Sequence, residues 1–211
     1  MTQKTSATAQ PIDTFLAFST FARKTVETPV EVKDPRHFLV RTYLRRVVEL
    51  QESCALALHS KRYATAFALL RPIHESALYG MYLATLAPDQ IVALTLANTA
   101  LGKSIKLPMS PSNIARKLSK KRKDFNGLAE ANSKWWGVLC DNTHGNPIAL
   151  PLSLMNISVP LDPSLRKILV SHAVGSTILF LGIAEDINVF DRTTETHKRT
   201  VFFAKKLLKE I

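Results

Sequence analysis

Apolar residues along this chain recur at intervals of three and four, the spacing of one face of a helix, and few stretches alternate as a half-buried strand would. Phe38, Leu39, Tyr43, Leu44, Val47, Val48 and Leu50 show it most clearly, downstream of Pro35. The pattern predicts helices over about 12–27, from Pro35 to about His59, from Tyr63 to Leu86, and over "QIVALTLANTAL". A short helix follows Ser112, another runs from about Leu128 into "DNTHGNP", and a long one spans roughly 163–189. "KRTVFFAKKLLKE" closes the chain as an amphipathic helix. The stop signals are ordinary ones: "TPVEVKDP", "APD", and Gly145 with Pro147. Residues 151–160 read as a loop, and Asp162-Pro163 opens the long helix with proline in the first turn.

These elements define an all-α, multi-helix bundle. At 211 residues the chain has room for a single domain with a substantial core. Residues 1–10 are small and polar and read as a disordered tail, leaving 11–211 as the bundle. Within it, about 103–126 stands out as a basic insertion with two prolines, and there is no internal repeat.

The stretch "LLRPIHESALYGMYL", 69–83, places Arg71, His74 and Glu75 in an otherwise apolar helix. Positions 71, 74, 75, 78 and 82 are expected on one face, so the three polar side chains should be neighbours. Burying a lone guanidinium or carboxylate costs several kcal/mol, so Arg71 and Glu75 should pair. Pro72 removes the donor that would meet the Ala68 carbonyl and favours a kink there. Such a pair can also simply pin the register of the bundle.

A second polar knot, "LCDNTHGN", closes the sixth predicted helix. Asp141 and His144 are three residues apart and can face the same way. A histidine in a last turn is already favoured by the helix dipole. If the two knots meet, Arg71, Glu75, Asp141 and His144 form a set that binds an anion through arginine and moves a proton through histidine. That chemistry suffices to cleave RNA through its own 2′-hydroxyl.

"ALLRPIHESALYGMYL", followed some sixty residues on by "KWWGVLCDNTHGN", resembles a group of bacterial helical proteins that carry an Arg-Pro-x-x-Glu helix and a later Thr-His-Gly turn. These in turn resemble the wider HEPN superfamily, and the likeness covers about residues 60–190. It implies a HEPN-like bundle, metal-independent RNA cleavage, a dimer, and a place in a bacterial toxin-antitoxin or antiphage defence module with a cognate partner. Arg71, Glu75 and His144 are the matching motif positions. Active members show arginine, four to six residues, then histidine; here "RKILVSH" (Arg166 to His172) and "RTTETH" (Arg192 to His197) match that spacing, which chance also produces.

Charge sharpens the choice of partner. Twenty-eight Lys and Arg against seventeen Asp and Glu give a net charge of +11, which favours RNA or another polyanion. Arg116, Lys117, Lys120, Lys121, Arg122 and Lys123 form the densest run and are the expected nucleic-acid contact. Trp135 and Trp136 could stack bases or fill core. The start lacks the apolar run of a signal peptide, and "ILFLGIA" is too short to span a bilayer. Two cysteines, Cys54 and Cys140, show no CxxC spacing, so a cytoplasmic, reducing setting is expected. His74-Glu75 is not HExxH, and no phosphate loop or Gly-x-Ser-x-Gly occurs, so no metal or cofactor is expected. The competing expectation is a non-catalytic nucleic-acid- or nucleotide-binding partner protein, in which the same polar cluster only fixes the bundle.

Overall fold

The computed structural model describes residues 11–103, 109–143, 162–187, 189 and 194–210. Among them there are eight α-helices, one 3-10 turn and no strand. The helices are α1 (Pro11–Glu27), α2 (Pro35–His59), α3 (Tyr63–Thr85), α4 (Asp89–Ala100), α5 (Pro111–Lys121), α6 (Leu128–Thr143), α7 (Pro163–Asp186) and α8 (Glu195–Glu210). The turn, Lys123–Phe125, joins α5 to α6.

Helix starts follow their local chemistry. Asp34 caps α2 by accepting the His37 amide at 2.8 Å, and Pro35 sits in the first turn. Asp162 does the same for α7, accepting from Ser164 and Leu165. Ser110 caps α5 through Asn113. The far end of α3 is held by cations instead: Arg36 donates to the carbonyls of Leu83 and Ala87, and Lys121 to that of Thr85.

α2 and α3 pack along their lengths and form the spine. α1 lies on α2 and carries α8 on its other side; α7 covers both α2 and α3; α5 and α6 pair with each other against α3. Phe15, Phe18, Leu39, Leu44, Ile73, Leu78, Met81, Leu83 and Phe180 are fully buried where these helices meet. α3 and α7 approach closely at Gly80: an added Cβ would lie 2.0 Å from the Phe180 ring. α5 belongs to this core through Ile114, Ala115 and Leu118, all fully buried. α7 is long and apolar enough to cross a membrane by length and composition, but 56% of its most apolar window is buried inside the bundle, as in a core helix.

Candidate functional site

α3 carries its polar residues to two different places. Arg71 and Glu75, one turn apart, meet as expected: Arg71 Nε donates to Glu75 Oε1 at 3.0 Å. The pair is half-buried rather than enclosed, with 22% and 28% of the two side chains exposed. The guanidinium lies over the Trp136 ring of α6, 5.4 Å from its centroid. Burial works to lower the Arg71 pKa, but the bond to Glu75 and its charge outweigh it, helped by Cys140 and Tyr79, so the net shift is upward. Arg71 is therefore a fixed positive charge beside the last turns of α6.

His74 lies beside the same Trp136 ring, centroids 6.5 Å apart, and feels the charge of Glu75, but it is only 4% exposed and its hydrogen bonds go to α6 and α7 instead of to that pair. His74 Nε2 lies 2.8 Å from Asn132 Oδ1, and Nδ1 lies 3.3 Å from Ser176 Oγ. Asn132 Nδ2 in turn donates to Ser112 Oγ at 3.1 Å. The chain of bonds fixes the tautomer. The Asn132 amide group spends its N–H on Ser112, so its oxygen accepts from His74 Nε2–H, and Nδ1 accepts the Ser176 hydroxyl. Four helices, α5, α6, α3 and α7, are tied by this relay.

His172 of α7 faces His74, ring centroids 4.9 Å apart. Burial first, and then the neighbouring His74, push the His172 pKa down to about 3. Burial also lowers His74, against the opposing bond to Asn132 and the charge of Glu75. Both imidazoles are neutral at physiological pH. They border a cavity of about 490 Å³ lined otherwise by Leu128, Ala131, Ile168 and Leu179, with Ser171 and Lys167. Of the two Arg-to-His spacings, Arg166 to His172 thus ends in this buried pair, whereas Arg192 lies outside the described residues.

His144 also lies outside the described residues, and of Asp141 only the helical backbone is described. That backbone continues α6 directly from Trp136 and Cys140, the residues beside Arg71. Among the described residues no three His, Cys, Asp or Glu side chains converge as a metal-ion site.

The basic run divides. Arg116, Lys117, Lys120 and Lys121 are exposed on α5, opposite its buried apolar face, and Lys123 is exposed in the following turn. Arg122 is not a free cation, contrary to the expectation that all six cations of the run serve as the nucleic-acid contact. It leaves the helix, pairs with Asp186 of α7, and lies 5.2 Å from the Phe125 ring. Lys121 is partly diverted too, by its bond to the Thr85 carbonyl.

A second cleft opens on the α2 side of α3, about 490 Å³, lined by Tyr43, Arg46, Pro72, Glu75, Ser76, Tyr79 and Lys103. Sequence reasoning missed it. The signal was present in part, since Tyr79 continues the series Arg71, Glu75 at steps of four. Tyr43, Arg46 and Lys103 come from elsewhere in the chain and carried no local mark. Compared with protein-family models, with curated proteins and with solved structures, the chain shows no match.

Proposed function

We propose that this chain is a cytoplasmic RNA-targeting effector with a HEPN-like bundle, working as a dimer in a bacterial toxin-antitoxin or antiphage defence module and cleaving RNA without a metal ion. The observation that supports it most is the half-buried Arg71–Glu75 pair with the end of α6 beside it, since α6 leads into the "DNTH" knot. In this reading the 2′-hydroxyl of the RNA attacks the adjacent phosphorus, and the 5′-oxygen leaves. Arg71 stabilises the charge that builds on the phosphoryl oxygens, and Glu75 holds Arg71 in place. His144 moves the protons, oriented by Asp141. Of the histidines, His74 and His172 are poor candidates for that task, because burial lowers the pKa of both so that they are neutral, and His74 has each nitrogen hydrogen-bonded. Arg116, Lys117, Lys120 and Lys123 hold the strand by its phosphates.

The exposed basic face of α5 equally supports the second reading, a nucleic-acid-binding partner protein without catalysis. Purified wild type, Arg71→Ala and His144→Ala separate the two on a labelled RNA, with and without chelator. The effector reading expects chelator-insensitive fragments ending in 2′,3′-cyclic phosphate, reduced about 10²–10³-fold by Arg71→Ala. Intact RNA that is nevertheless bound, with binding lost on reversing the α5 cations, selects the partner reading.

A further inference from the structure

The cleft between α2 and α3 is built for an anion. Its mouth carries Arg46 and Lys103, both exposed, and among the described residues neither is engaged in an ion pair. Its wall carries three hydroxyl groups, of Tyr43, Tyr79 and the buried Ser76. Burial raises the pKa of both phenols, Tyr79 further through the charge of Glu75, so both stay protonated and able to donate at neutral pH. One carboxylate, Glu75, also lines the cleft, and it is already neutralised by Arg71. The local sum is therefore positive, three cations to one anion, with neutral donors between them. A phosphodiester offers one negative charge and two free oxygens. A phosphate monoester offers up to two charges and three oxygens, and so matches a site with two free cations and several hydroxyl donors. The cleft volume leaves room for part of the attached sugar as well.

We infer that this cleft binds a terminal phosphate monoester on a ribonucleotide, held by Arg46 and Lys103 and oriented by the hydroxyls of Tyr43 and Tyr79. Two sources carry that group, a phosphorylated RNA end and a free mononucleotide. The RNA end rests on the reading above; the anion chemistry does not.

The test uses the full chain and three probes: a short oligoribonucleotide with a terminal phosphate, the same oligomer with hydroxyl ends, and a mononucleotide. Affinities are measured by titration calorimetry for wild type, Arg46→Ala/Lys103→Ala and Tyr43→Phe/Tyr79→Phe. Thermal melts check that each variant is folded, and the first pair changes only exposed side chains. The phosphate-ended oligomer should bind about tenfold tighter than its hydroxyl twin, and either double variant should erase that preference while leaving hydroxyl-ended binding unchanged. Binding of the mononucleotide alone, sensitive to the same variants, supports the cleft and assigns the free source, while the RNA reading fails. Equal affinity for both oligomers overturns the inference and leaves the RNA reading standing. A preference that survives in both double variants overturns the location.

Discussion

The paired histidines should make the fold sensitive to mild acid. Above pH 6.5, the ordinary imidazole value, His172 is neutral both folded and unfolded and contributes no pH dependence. Below it the unfolded chain takes up a proton that the folded chain refuses until about pH 3. Protons bind the unfolded state more readily, so stability falls as pH falls, by at most ~1.4 kcal/mol per pH unit per group. Between pH 6.5 and pH 5 that amounts to about 2 kcal/mol from His172, and less if solvent reaches the ring. His74, shifted in the same direction, adds to it. The assay is urea unfolding of wild type and His172→Gln at pH 7.5 and pH 5.0. Packing lost in the variant appears at both pH values and cancels, as do the carboxylates that titrate in both proteins. What remains is the His172 contribution: the wild type should lose more stability on acidification than the variant, by about 1–2 kcal/mol. Parallel losses in the two proteins would refute the buried, neutral placement of this ring.

Gly80→Ala should destabilise the protein by about 1–3 kcal/mol, read as a lower thermal midpoint, because the new methyl group collides with Phe180. Asn132→Ala should cost about 1–3 kcal/mol in chemical unfolding, since it leaves His74 Nε2–H without its acceptor in a buried place. Arg36→Ala should cost about 1–3 kcal/mol by the same measurement, as the carbonyls of Leu83 and Ala87 and the carboxylate of Asp89 lose their donor together. Reversing Arg116, Lys117 and Lys120 to Glu should flatten the salt dependence of RNA binding, measured as log K against log salt. The slope should shrink by roughly 0.7–0.9 for each phosphate that is no longer neutralised.

Helix positions were legible because their signals are local. Pro35, Asp162-Pro163 and the three- and four-residue apolar spacing each act within a turn or two, and the helices begin where those residues say. The Arg71–Glu75 pair was legible for the same reason, being one turn apart on one helix. Partners brought together by tertiary packing were not. Ser176 lies 102 residues from His74 and Asn132 lies 58, so nothing in the neighbourhood of His74 could show that its ring would be fully hydrogen-bonded. His74 does neighbour Arg71 across the Trp136 ring, as its spacing suggests, but its hydrogen-bond partners could not be foreseen.

Net charge misleads in a related way. Arg41 donates to the carbonyls of Val30, Val26 and Thr28 at 3.1, 3.3 and 2.6 Å and so holds the chain between α1 and α2. Arg36 and Lys121 close the end of α3, and Arg122 is bound to Asp186. In composition these four cations count toward a polyanion surface; in the fold they replace helix caps and an inter-helix tie. Exposed cations remain at several places, two of them the face of α5 and the mouth of the Tyr43–Tyr79 cleft. α3 lies between them. On one side its His74 is bonded, through Asn132, to Ser112 at the start of α5; on the other its Glu75 and Tyr79 form the wall of the cleft. A helix with this much burial tolerates its polar residues because each is matched to a partner, Arg71 and Glu75 to each other and His74 to Asn132 and Ser176 on neighbouring helices. Arg71, Glu75 and Tyr79 remain partly exposed, and a substrate can reach them.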